Sequence, residues 1–381
     1  MAVQLIFWIS LALIVYAYVA YPVLLWALQS LFPRPVEKSA IEPSISLLIA
    51  AYNEAPVIEE KISNSLQLDY PQSKLEIVVA SDGSTDLTAE IVRSLAEREN
   101  RVRLLEFPVN RGKVAALNEA VSQLQGEIIV FSDASSMLAG DALRKLVANF
   151  ADPSVGAASG VYRVLDKEST RLGHQEDFYW KYETFVKLQE ARLGALAGAH
   201  GSLYGLRKQL YPFPPPTSIN DDFVIPTSVL KRGLRIAYEP EAVAYEEADE
   251  MAGFGRRVRI MAGNLEQMRE IPGLVSRPLA LFCFLSHKGT RILVPIAMLA
   301  AFAANAALWR LPFYRALLSF EILFYGLAAL GAVGWLKPKL LRMPFYFCMI
   351  NAALFAWFYH VIWPGRQTTA AGEKRQPVVW T

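Results

Sequence analysis

Cysteine is almost absent: the 381 residues include two, Cys283 and Cys348, both in apolar stretches. That excludes a disulfide framework and a thiolate zinc site, and it suits a reducing compartment. Charge of one sign is scarce too. Lys and Arg number 38 against 36 Asp and Glu, a formal net charge of +2, which is too small for a nucleic-acid-binding surface. From Leu5 to Leu31 there is no charged residue at all. Hydrophobic residues instead make up 53% of the chain, more than a wholly soluble protein usually carries. No internal repeat or low-complexity stretch is evident.

The uncharged stretch sets the first boundary. Residues 1–32 read as a tilted transmembrane helix, with a possible kink at Tyr21-Pro22. A cleaved signal peptide is disfavoured, because the amino end lacks a basic n-region and the apolar run is too long. Arg34 and Lys38 follow, which directs the helix's carboxyl end to the cytosol. Pro33, Pro35 and Pro43 make residues 33–43 a stiff linker. Residues 44–270 have the composition of a soluble α/β domain. Apolar strands are expected at 45–51, 75–80, 102–107 and from 128, alternating with helices at 55–66, 84–98 and 113–124. This alternation predicts a mainly parallel sheet covered on both faces. Residues 271–291 are apolar but interrupted by Arg277, His287 and Lys288, and read as an interface helix. Residues 292–309, 313–336 and 345–363 are further spanning candidates. Lys337, Lys339 and Arg342 place the last connecting loop in the cytosol, and 364–381 is a polar tail.

Chemistry concentrates where the strands end. Ile128-Ile129-Val130-Phe131 is a run buried on both faces that stops at Ser132-Asp133. An acid at the carboxyl end of a parallel strand sits where open α/β sheets bind ligands, and it can hold a divalent cation. Ala50-Ala51-Tyr52-Asn53-Glu54 ends the first strand; Tyr52 can flank a flat base and Glu54 can accept from it, while Asn53 can cap the following helix. Ser81-Asp82-Gly83-Ser84 follows the second strand. Gly83 permits a tight turn, Ser84 can cap a helix whose N-terminus favours anions, and Asp82 is placed to bind a nucleoside. Lys113, at a helix start after Arg111-Gly112, can reach a phosphate or base.

Taken in order, these motifs resemble the inverting nucleotide-sugar glycosyltransferases of family 2, in the membrane-embedded branch that includes cellulose, chitin, hyaluronan and poly-N-acetylglucosamine synthases. The resemblance runs from about Ser44 to Arg291. It implies an α/β GT-A (Rossmann-like) catalytic domain, a UDP-sugar donor, and a Mg2+ or Mn2+ ion. Ala50, Tyr52, Glu54, Asp82 and Lys113 would surround the donor, with Asp133 facing the metal and diphosphate. Where the family has a D-x-D, this chain has Ser135 at the third position, a weaker, neutral ligand for a hard cation.

Further on, Ala197 to Gly205 resembles the acceptor stretch, which implies acceptor contacts by His200, Gly201 and Ser202. Asn220-Asp221-Asp222 resembles the threonine-glutamate-aspartate signature; Asp222 would be the general base that an inverting transfer needs, and Asp221 would support its loop. Gly255 to Ile260 matches the position of Q-x-x-R-W, so Arg256 and Arg259 would face the leaving diphosphate. Arg256 replaces the glutamine and Ile260 the tryptophan that holds a growing polymer in processive relatives. The aromatics Phe178, Tyr179, Trp180 and Tyr182 suit a helix core or an acceptor path. Three functions follow: a membrane transferase adding one or few sugars to a lipid-linked or saccharide acceptor; a processive polysaccharide synthase with a channel, for which four helices are few without a homo-oligomer; and a non-catalytic nucleotide-binding membrane subunit.

Overall fold

The structure, a computed structural model, describes residues 1–165, 173–247, 253–336, 338 and 340–362. The chain opens with helices α1 (Ala2–Val15) and α2 (Tyr21–Leu31), joined without interruption by a π turn at Tyr16–Ala20. The α/β domain follows: β1 (Ile45–Ala51), α3 (Ile58–Leu66), β2 (Leu75–Asp82), α4 (Thr88–Ala96), β3 (Val102–Phe107), α5 (Lys113–Val121), β4 (Ile128–Asp133), β5 (Met137–Leu138), α6 (Ala142–Val147), β6 (Val155–Leu165), α7 (Gly173–Arg192), β7 (Tyr204–Arg207), α8 (Asp221–Lys231) and β8 (Arg235–Glu247). Then come α9 (Gly253–Gln267), α10 (Ile271–Leu274), α11 (Pro278–Phe284), α12 (Thr290–Ala307), α13 (Pro312–Ala332) and α14 (Met343–Ile362).

One eight-stranded sheet runs β3-β2-β1-β4-β7-β6-β8-β5. The β3-β2-β1-β4 half is wholly parallel, as the alternation of strands and helices requires. Beyond β4 the sheet is mixed, because β7 is antiparallel to both its neighbours. Every residue of β1 is buried, and the two faces of the sheet carry separate apolar cores. Register places Ala50 beside both Ala80 and Asp133, so the first, second and fourth strands end at one edge.

Two helix starts differ from expectation. α3 begins at Ile58 and α4 at Thr88, because the intervening residues tie the two loops together. Asn53 adopts a left-handed φ of 55°, and its side-chain oxygen accepts from the Thr85 amide at 2.8 Å. It therefore caps neither helix. Ser84 does not cap α4 either; Asp86 accepts from the Thr88 amide at 3.0 Å instead.

Four helices are long and apolar enough to cross a membrane: Ala2–Leu31, Pro278–Ala307, Pro312–Ala332 and Leu340–Tyr359. Pro22 does not kink the first sharply. It has no N–H to give the preceding turn, and the helix absorbs the loss as the π turn. The Tyr182 hydroxyl, from α7, donates to the Tyr18 carbonyl at 3.2 Å. The expected interface helix at 271–291 is shorter than that. From Pro278 the chain enters one continuous helix to Ala307, with a π turn at Leu285–Gly289. Of the polar residues that suggested a surface position, His287 is buried against α7, its Nδ1 2.9 Å from Glu190 and its Nε2 3.3 Å from Glu183, while Arg277 donates to the Leu230 carbonyl of α8 at 3.1 Å and Lys288 is half-buried; Arg291, which follows, pairs with Glu183. Lys337, Lys339 and the tail 364–381 lie outside the described residues.

Candidate active site

Asp133 is the last residue of β4. Its Oδ1 accepts from Lys113 Nζ at 2.6 Å, and the same ammonium lies 3.1 Å from Asp221 Oδ1. Burial works against the charge on Lys113, but the two carboxylates outweigh it and raise its pKa, so this lysine stays cationic. Asp221, in the first turn of α8, also accepts from the Tyr204 hydroxyl at 2.9 Å. That tyrosine is fixed by stacking on Phe131, ring centroids 4.6 Å apart. Asp221 is thereby tied to both Tyr204 and Lys113.

Gly201 shows where the next residue, Asp222, points. A methyl group added there would lie 3.3 Å from Asp133 Oδ2 and 3.7 Å from Asp222 Oδ2. The two carboxylates therefore flank one methyl-sized hollow, the space left by the missing side chain of Gly201. Burial, and then the negative charge of Asp221, push the Asp222 carboxyl up to about 6, while Lys187, Lys113 and Lys288 pull the other way. A carboxylate in that range is a competent general base near neutral pH. Gly201→Ala is expected to fold, since its backbone is not in a glycine-only conformation, yet to lose most transfer activity by filling the hollow. A thermal unfolding curve and a turnover assay on the same sample check this; full activity would show that the hollow is not the reaction site.

The acids around Asp133 suit a hard divalent cation. Glu54 is pushed up to about 6 by burial and then by the charges of Asp133, Asp86 and Glu246, a repulsion that a cation would relieve. Ser135 is not a free ligand: its hydroxyl donates to Glu246 Oε1 at 2.9 Å, which brings a carboxylate from β8 beside the position where D-x-D chains have their second acid. Among the described residues no group of three or more His, Cys, Asp or Glu is arranged to hold a metal. An ion there would take its remaining ligands from a diphosphate and water.

Several expected contacts are taken up by the fold itself. Asp82 is fully buried, and its oxygens accept from the Arg111 and Gly112 amides, the latter at 2.7 Å. It holds the loop before Lys113 in place; Gly83 turns beneath it with φ 69°, where a Cβ would lie 2.3 Å from the Asn110 nitrogen. His200 is buried, its Nε2 2.9 Å from the Tyr238 hydroxyl, and burial lowers its pKa. It is a neutral core histidine rather than an acceptor contact. Ser202 is buried also, and its carbonyl accepts from Ser132 Oγ at 2.8 Å. Ala50 is a buried strand residue, whereas Tyr52 and Glu54 are partly exposed. Arg259 is exposed on α9, and the side chain of Arg256 lies outside the described residues. The neighbouring Arg257 is buried and donates to the Tyr346 hydroxyl of α14 at 2.7 Å, so that part of the basic stretch joins the domain to its last helix.

Two buried lysines escaped the sequence reading. Lys61 is fully buried on α3 and donates to Ser132 Oγ at 2.7 Å and to the Ser136 carbonyl, clasping the turn that carries Asp133. Lys187 lies under the acceptor stretch. Lys61 shares the buried face of its helix with Ile58, Ile62 and Ser65, and Lys187 shares that of α7 with Glu183 and Glu190, placements at odds with a solvated charge.

Comparison with known proteins bears on the fold that carries these residues. Residues 46–212 match the model of the family described as glycosyl transferase family 2. The chain is 31% identical over 228 residues to a poly-beta-1,6-N-acetyl-D-glucosamine synthase of Staphylococcus aureus, covering 58% of this chain and 55% of that protein. It is 27% identical over 267 residues to the Staphylococcus epidermidis protein of the same name, covering 65% and 64%. The chain thus spans little more than half the length of the curated relatives it matches. Among solved structures, the mannosyltransferase PcManGT from Pyrobaculum calidifontis, in complex with GDP-Man and Mn2+, superposes with a TM-score of 0.70 at 27% identity, over 95% of this chain and 100% of that one. Residues 46–212 therefore form a domain that matches glycosyl transferase family 2 and has the GT-A fold, and this chain is similar to the poly-N-acetylglucosamine synthases.

Proposed function

We propose that the protein is a membrane-embedded inverting transferase that moves a sugar from a nucleoside diphosphate sugar to a saccharide or lipid-linked acceptor, one or few units at a time, forming a β-glycoside. The observation that carries this reading is the single hollow over Gly201 onto which Asp133 and Asp222 both open. Donor and base are then within reach of one reacting carbon, as a one-step displacement requires.

Asp222 takes the proton from the acceptor hydroxyl as that oxygen attacks the anomeric carbon. Lys113 holds Asp133 and Asp221 in one arrangement, and Tyr52 and Glu54 border the nucleotide side. Arg259, exposed on α9, is by the family resemblance the arginine for the diphosphate whose charge grows as the glycosidic bond breaks. A Mg2+ or Mn2+ ion on Asp133, with Glu246 and Glu54 nearby, would neutralise diphosphate charge. The cytosol-facing arrangement in a cell membrane follows from the basic residues after the first helix and before the last. The family match supports an enzyme over the alternative of a non-catalytic subunit.

The domain's relatives make polymers of N-acetylglucosamine, which supports a UDP-linked sugar as donor. The whole-chain likeness to a protein solved with GDP-Man supports a second reading, a guanosine-linked mannose donor. Ile260, in place of the polymer-holding tryptophan, supports single transfer over processive synthesis. Uridine- and guanosine-linked sugars with Mn2+ or Mg2+, scored for diphosphate release and product mass, decide among these. Long products from one donor would overturn single transfer; no release from any donor would overturn the reading.

The base imposes a pH dependence. Only the carboxylate form of Asp222 accepts a proton, and its pKa is raised to about 6. Turnover is therefore expected to rise as pH climbs through about 6 and to fall below it. A pH–kcat profile at saturating donor checks the position of that limb.

A further inference from the structure

The mechanism leaves one buried cation beside the hollow unused. Lys187 lies on α7 between Glu183 and Glu190, one turn from each, and all three are buried. The carboxylates are already engaged by the helical segments expected to cross the membrane. Glu183 pairs with Arg291 and faces His287 Nε2 at 3.3 Å. Glu190 lies 2.9 Å from His287 Nδ1 and accepts from the Tyr21 hydroxyl at 2.7 Å. Lys187 is left to donate to a neutral group, the Ala199 carbonyl, at 3.0 Å. The Ala199 amide in turn donates to the Asp222 carbonyl at 2.7 Å. A buried ammonium without a contacting carboxylate is costly, and it lies one residue's hydrogen bonds from the base.

We propose that Lys187 is a positioning residue for Asp222: it braces the Ala199 segment that holds the backbone of Asp222, and its charge keeps the Asp222 carboxylate available to take a proton. The inference rests on Asp222 being the base. The groups that bear on the Asp222 carboxyl are Asp221 on its own helix, Lys187 from α7, Lys113 from α5, Lys288 from the π turn before α12, Asp133 from β4 and Tyr204 from β7. Of these, Lys113 is committed to Asp133 and Asp221. Among the described residues, no carboxylate lies within ion-pair distance of Lys187, whose ammonium donates to the Ala199 carbonyl. Burial brings Lys187 down to about 8, with Lys288 adding to the fall and Glu183, Asp222 and Glu190 opposing it, so it is largely protonated at neutral pH.

The test uses the full-length protein in lipid nanodiscs and two neutral variants. Lys187→Met removes both brace and charge; Lys187→Gln removes the charge and retains a donor for the Ala199 carbonyl. For both, the acid limb of the kcat profile is expected to move up by about one pH unit, cutting kcat about fivefold at pH 6 and about tenfold well below it. At pH 8.5 kcat should return to within about threefold of the unaltered protein, since Asp222 is ionised there in either case, and donor KM should not change. An acid limb that stays in place in Lys187→Gln, or a loss equal at every pH, would overturn the proposal. If Lys187→Met fails to fold, the Lys187→Gln profile decides alone. Failure of the base assignment is separately visible, because the unaltered protein would then show no acid limb near pH 6.

Discussion

Asp222→Asn is expected to bind the donor nucleotide with its metal as tightly as the unaltered protein and to lose transfer by about 10²–10⁴-fold, the usual contribution of a positioned base. The amide is nearly isosteric, so the hollow keeps its shape, but it has no lone pair basic enough to take a hydroxyl proton. Two measurements on one sample separate the effects: nucleotide affinity by calorimetry, and product formation with labelled donor. Normal turnover by this variant would remove Asp222 from the mechanism and leave the base unassigned. Loss of nucleotide binding as well would mean that the side chain serves the donor instead.

The converse is expected at the other carboxylate. Asp133→Asn should lose metal-dependent nucleotide binding and, with it, about 10³-fold or more of turnover, since the charge it would share with the ion stabilises the leaving diphosphate by several kcal/mol. The loss should not be recovered at higher pH, which distinguishes it from a change at the base. Lys113 would also lose its closest anion and keep only Asp221. Titration of Mn2+ with and without nucleoside diphosphate checks this. Unchanged metal-dependent affinity would shift the ion to Glu54 and Glu246, leaving Asp133 a structural partner of the lysine.

The parallel half of the sheet was legible because each of its strands is an apolar run followed by turn chemistry. The other half was not. β6 begins Val155-Gly156-Ala157-Ala158-Ser159-Gly160, small residues with no marked alternation. They are there because space is short: a methyl group at Gly160 would lie 2.6 Å from the Ala242 carbonyl oxygen, and one at Gly156 2.8 Å from the Val229 side chain. Close approach of backbones leaves little trace in a pattern of polarity. In the site, Asp133, Lys113, Gly201, Asp221 and Asp222 were found in sequence and lie together in space. Asp82 and His200 were found in the right neighbourhood, but turned inward to hold loops, which residue type alone does not distinguish from ligand contact. Lys61 and Lys187 were passed over because a lysine is ordinarily a solvated charge; only the burial of their helix faces reveals otherwise.

The face that α7 shows to the helices expected to cross the membrane carries one more implication. Glu183, Lys187 and Glu190 are each no more than 6% exposed, and the groups that engage the two acids, His287 and Arg291 with the Tyr21 hydroxyl, all belong to those helices. Starting the chain at residue 44, the boundary drawn by polarity, would take the Tyr21 hydroxyl from the buried Glu190, so such a truncation is expected to lower the thermal stability of the remaining fold.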